Sequence, residues 1–174
     1  MIGEIASDNS LCGGESASDV IGLQKIDDMI HDPVNDQLKR IWQYMYEGVN
    51  RSNYMVENKD KIDFPRKNEL YGEVHFLRAF FYFELVKIYG DVPLFTNGRL
   101  TAGDSGTLKR VSKADVYSVI ESDLQTAIGA LPAKKSLDGR ATSFTAHALL
   151  GKVYLYQDKF SEAANILEPV VGLY

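Results

Sequence analysis

From residue 37 onward, apolar residues return every three or four positions, the spacing that lines one face of an α-helix. Over 37–58, Leu38, Ile41, Trp42, Met45, Val49, Tyr54 and Val56 form such a face, although Gly48 weakens it. Over 68–89, Tyr71, Val74, Phe76, Leu77, Phe80, Phe81, Phe83, Leu85, Val86, Ile88 and Tyr89 leave little polar surface. A helix apolar nearly all round belongs in the middle of a packed array. Gly90 followed by Pro93 is a helix stop. Ser112, with Asp115 three residues on, predicts the start of a helix carrying Val116, Ile120, Leu124 and Ala127. Another start is expected at Thr142 or Ser143, and a last helix capped by Ser161, with Pro169 kinking or shortening it. No segment alternates with period two, so almost no sheet is expected.

Residues 1–36 differ in kind. They are rich in Ser, Asp, Gly and Asn, with turn chemistry at Ser7-Asp8-Asn9-Ser10 and Gly13-Gly14. This stretch reads as a polar N-terminal loop segment of the same domain, with room for a short helix near Val20–Ile30. Residues 37–174 form the helical scaffold.

A repeat underlies the scaffold. Leu150-Gly151, Tyr154, Phe160, Ala163 and Leu167 are spaced as in a tetratricopeptide repeat. Small residues at 151 and 163 let two antiparallel helices approach, and the larger ones fill the groove. Ile120, Leu124, Ala127 and Pro132 read as the second helix of an earlier repeat whose first helix is 68–89. Its connection, 94–111, is long. The fold class is therefore all-α, a tetratricopeptide-like α-α superhelix with long loop insertions. Repeat arrays end in a polar cap. None follows the last helix, so a longer protein, with a further C-terminal part, is expected.

Composition narrows the chemistry. The 174 residues are 45% hydrophobic with a net charge of −5, which lacks the basic footprint of a nucleic-acid binder. The three histidines, His31, His75 and His147, are far apart, and no metal site or cofactor is expected. The lone Cys12 has no apolar segment before it and reads as a small loop or core residue rather than a lipid-attachment cysteine. Met1 to Asn9 lacks the features of a signal peptide, and no run reaches the roughly 18 apolar residues of a membrane span. Neither paired carboxylates nor a nucleophile motif is present, so no catalytic residue is assigned and an enzyme is not expected.

The polar loop carries the candidate ligand contacts. Asp8, Asn9, His31, Asn35 and Asp36 can donate or accept toward hydroxyls. Trp42 and the Phe76–Phe83 aromatics lie on apolar stripes and read as core. Arg78 on the apolar helix needs a partner if buried. Asp91, in the loop that ends that helix, is the expected other half of a structural ion pair.

Several segments together resemble the SusD/RagB family. They are Trp42 with Tyr46, Asn50 and Asn53; Glu73-Val74-His75-Phe76-Leu77-Arg78-Ala79; Tyr89-Gly90-Asp91-Val92-Pro93-Leu94; Arg110-Val111-Ser112 with Asp115-Val116-Tyr117; and Gly139-Arg140-Ala141-Thr142 with Ala148-Leu149-Leu150. Their order and spacing match the family over most of 40–174. The resemblance implies a nutrient-binding lipoprotein on the outer face of the bacterial outer membrane. It implies capture of glycans, or sometimes peptides, and their delivery to a SusC-like TonB-dependent transporter. The lipid anchor and much of the ligand site would lie outside this chain, although the N-terminal loop can line the site in such proteins. A soluble tetratricopeptide adaptor, holding a partner peptide in a concave groove, is the alternative.

Overall fold

The computed structural model describes residues 2–16, 18–104, 106, 108–133 and 139–171. The chain divides into two compact units, Met1–Tyr44 and Met45–Tyr174, with the division inside a helix. In the first unit lie α1 (Ile2–Ile5) and α2 (Ile21–Asp27), and α3 (Asp36–Glu57) begins there. The second unit holds the rest of α3, then α4 (Lys67–Tyr89), α5 (Lys113–Ala130), α6 (Ser143–Leu155) and α7 (Phe160–Val171). A two-residue strand β1 (Val92–Pro93) pairs antiparallel with β2 (Arg110–Val111). Two residues are too few to leave a period in the sequence, so this pair was not foreseen.

Local signals set the helix ends. The Ser112 side chain accepts from the Asp115 N–H at 3.2 Å and caps α5. Thr142 and Thr145 form a reciprocal capping box at the start of α6. Gly90, at φ 69°, terminates α4 in a backbone conformation that favours glycine. The last helix differs from expectation. The chain turns at Asp158 (φ 60°), and the Ala163 N–H donates to the Lys159 carbonyl, so α7 begins at Phe160 and Ser161 falls inside it. The helix runs two residues past Pro169. Pro169 lacks an N–H and so gives up the bond to the Asn165 carbonyl, without ending the helix.

The second unit is built from close helix contacts. The Gly48 position on α3 faces the Phe81 ring so closely that an added Cβ would meet it at 2.4 Å. Gly72 on α4 meets Ala130 and Leu131 at the end of α5. Gly151 on α6 meets Leu167 of α7, where a Cβ would sit 2.5 Å from Leu167 Cγ. The apolar core runs from Tyr82, Phe83 and Leu85 through Ile120 and Leu124 to Leu150, Val153 and Ala163, all buried. Of the four phenylalanines read as core, Phe83 is buried, Phe76 and Phe81 are half-buried, and Phe80 is exposed at 37%. Trp42 is half-buried.

Candidate functional site

The polar loop of the first unit is tied down by its own side chains. The Cys12 N–H donates to Asp27 Oδ2 at 2.7 Å, and Lys25 Nζ reaches Asp32 Oδ2 at 3.0 Å. The Val34 N–H donates to Asp32 Oδ1 at 2.9 Å. Lys25, through its hydrogen bond, and the Val34 N–H hold the Asp32 carboxyl below its ordinary range.

Within this loop the five candidate contacts have different fates. Asn35 is buried. Its amide donates to the Gly22 carbonyl at 2.8 Å, and its Oδ1 accepts from the Gln37 and Leu38 N–H groups at 3.0 and 3.1 Å. All these bonds run to the backbone, so Asn35 caps α3 and fixes it to α2. An Asn directly before a helical stripe is a capping signal, and it was legible. Asp36 is exposed, with Oδ2 accepting from Gln37 Nε2 at 2.6 Å. His31, Asp8 and Asn9 are exposed. Asp8 and Asn9 follow α1, where the Asn9 N–H donates weakly to Ser7 Oγ at 3.4 Å. No hydrogen bond among the described residues joins Asp8 or Asn9 to His31, Asn35 or Asp36.

The second unit contains a buried polar node that corrects one expectation. Arg78 is ion-paired, but with Asp123 of α5 rather than Asp91. Its Nε and Nη2 donate to Asp123 Oδ2 and Oδ1, each at 2.7 Å, a bidentate fork. Nη1 donates to Asn53 Oδ1 at 2.9 Å and weakly to the Thr96 carbonyl at 3.4 Å. His75 Nδ1 lies 2.7 Å from Asp123 Oδ1. An ionised carboxylate only accepts, so Nδ1 carries the hydrogen. Burial pushes the Asp123 carboxyl up, but the bonds from Arg78 and His75 outweigh it and hold it below the ordinary value of 3.8. Asp91 is displaced from this pairing because it is exposed beyond the helix end. There its Oδ1 accepts from the Lys113 N–H at 2.9 Å, and its carbonyl accepts from Arg110 at 3.0 Å.

The same node fixes the loop after α4. Tyr82 Oη donates to the Phe95 carbonyl at 2.8 Å and accepts the Phe95 N–H at 3.0 Å. Asn53 Nδ2 donates to that carbonyl at 3.1 Å, and Tyr46 Oη donates to the Pro93 carbonyl at 2.7 Å. Asn50 accepts the Leu100 N–H at 2.8 Å. Burial raises the Tyr82 phenol to about 12 and pushes Tyr46 up as well, so both stay protonated donors. No buried side-chain nitrogen or oxygen among the described residues lacks a partner. The node thus holds α4, α5 and the start of the loop after α4 together.

Against known proteins, residues 3–155 match the SusD-like family described as "Starch-binding associating with outer membrane". The chain belongs to the SusD-like family. A SusD-like protein, P2, of Formosa agariphila is 28% identical over 140 residues, covering 79% of this chain and 28% of its own length. A SusD-like protein of Bacteroides fragilis superposes with a TM-score of 0.78 at 34% identity, over 86% of this chain and 30% of that one. A laminarin-binding SusD-like protein superposes with a TM-score of 0.81 at 34% identity, over 90% of this chain and 34% of that one. This SusD-like chain thus spans about a third or less of the proteins it matches. No helix among the described residues is long and apolar enough to cross a membrane.

Proposed function

We propose that this chain is part of a glycan-binding module that captures saccharide at the cell surface and delivers it to a SusC-like TonB-dependent transporter. The observation that carries the reading is the family match over 3–155, joined to 34% identity with a laminarin-binding relative across 90% of the chain. In this reading the helical scaffold acts by binding and positioning, without catalysis. Asp8, Asn9, His31 and Asp36 supply polar contacts to ligand hydroxyls, while Asn35 positions the loop that carries them. The lipid anchor and the transporter contact belong to the whole protein.

Affinity electrophoresis of the folded chain in gels containing laminarin, starch or xylan tests the capture step. Retardation by at least one glycan is expected, weakened in Asp8→Ala. Unretarded migration in all three gels contradicts it. Co-purification of the whole protein with a TonB-dependent barrel tests delivery, and an unaccompanied protein contradicts that step. The adaptor alternative predicts tight turns between all helix pairs. The connection across residues 90–112 counts against it.

A further inference from the structure

The structure has a second polar feature, separate from the N-terminal loop and from the Arg78 node. Glu73 on α4 and Arg140 just before α6 form a forked pair. Arg140 Nε donates to Glu73 Oε1 at 2.6 Å, and Nη2 donates to Oε2. The pair lines a cleft of about 510 Å³ together with Phe76, Leu77, Ala141 and Thr145. That volume falls within the roughly 300–1,000 Å³ of small-ligand sites.

The chemistry of the lining selects a ligand. Glu73 and Arg140 cancel each other's charge, so an anion would meet a carboxylate and a cation a guanidinium. The fork uses Nε and one hydrogen of Nη2. It leaves the second Nη2 hydrogen beside the outer lone pair of Oε2, an adjacent donor and acceptor. Adjacent donors and acceptors in one plane fit the vicinal hydroxyls of a sugar ring. The remaining wall is apolar. Phe76 packs on the Ala127, Leu131 and Ala146 core, and Leu77 is 44% exposed at the cleft. An apolar wall beside a planar polar edge matches a pyranose, with its apolar face and its hydroxyl rim. Both polar groups are anchored on or beside helices, which keeps the edge fixed.

We propose that this cleft binds one or two rings of a neutral saccharide, as a subsite distinct from the 7–36 loop. The proposal rests on the glycan-binding reading and names where, and which charge class, the chain binds. It predicts no affinity for uronate oligomers.

The test is a titration of the chain, methyl-labelled and 15N-labelled, with laminaritetraose, maltotetraose, cellotetraose and trigalacturonate. At least one neutral tetrasaccharide is expected to shift the Leu77 methyls and the Arg140 Nε–H saturably, and trigalacturonate to shift neither. Leu77→Asp and Arg140→Lys are each expected to weaken that binding about tenfold or more. Arg140→Lys keeps the charge but loses the fork, so it remains informative if Leu77→Asp fails to fold. Shifts confined to Asp8, Asn9 and His31, with both variants binding normally, overturn the subsite and leave glycan binding standing. A response to trigalacturonate alone overturns the charge assignment. No response to any neutral probe overturns the subsite, and unretarded electrophoresis on all three polysaccharides would then remove the broader reading too.

Discussion

Helices α4 and α5 are joined by residues 90–112, whereas α6 and α7 are joined by residues 156–159. Both are antiparallel pairs, as their contacts require. Gly72 near the start of α4 meets Ala130 at the end of α5, and the short turn at 156–159 folds α7 back along α6, bringing Leu167 against Gly151. What differs is how each pair is held. In α6/α7 the left-handed turn at Asp158 and close packing are enough, with Lys159 and Gln157 bonding to Glu121 at 2.6 and 2.7 Å from outside the pair. In α4/α5 the connection is long, and a buried charged fork, Arg78–Asp123, fixes the two helices. The same node ties down the start of the connecting loop through Asn53, Tyr82 and Tyr46. A long insertion in a repeat thus comes with its own anchor. The tight pair is anchored instead by the bonds from its turn to Glu121 of α5.

Breaking the node should have the largest effect. Asp123→Ala leaves a buried guanidinium without its carboxylate, which costs about 3–5 kcal/mol. Urea denaturation should show a lower midpoint with little change in slope. A loss below about 1 kcal/mol would mean that the long connection is held by something else. The node also carries a pH signature. The Asp123 carboxyl is held below 3.8 in the folded chain. Its contribution is therefore present above that value and lost as pH falls through the lower folded value. Asp123→Asn should flatten the acid limb of the stability profile, and an unchanged limb would refute the assignment.

Overfilling the tight pair comes next. Gly151→Ala places a Cβ 2.5 Å from Leu167 Cγ, which lies on the branch point of that side chain rather than its flexible tip. A loss of about 1–3 kcal/mol is expected. Adding Leu167→Ala should remove the clash but not the cavity cost, so the two changes should be non-additive in a double-mutant cycle. The smallest effect sharpens the comparison at the helix starts. Ser112→Ala removes the α5 cap and should cost about 1 kcal/mol. Thr142→Ala at α6 should cost a similar amount, because both caps serve helices already fixed by packing.

Much of this comparison was legible in the residues, because it is local. The largely apolar surface of α4, the Gly90 stop, the Ser112 and Thr142 caps and the small residues Gly151 and Ala163 all act within a few positions or at a repeat spacing. The partner of Arg78 was not legible. Asp123 lies 45 residues away and meets Arg78 only once α5 packs on α4, while Asp91 stood nearer in sequence. Glu73 and Arg140 are separated by 67 residues for the same reason. A charged residue on each of two apolar stripes, Arg78 and Asp123, was the available signal, since each needs a partner once buried. The capping role of Asn35 had a local signal too, although a polar loop residue and a helix cap look alike until the helix start is fixed.

The glycan reading is tested most directly by isothermal titration of the folded chain with laminarin. The account predicts a saturable heat, reduced when Leu77 is replaced by Asp. No heat at any laminarin concentration, from a chain whose helical spectrum and cooperative unfolding are intact, followed by the same silence with starch and xylan, would contradict it.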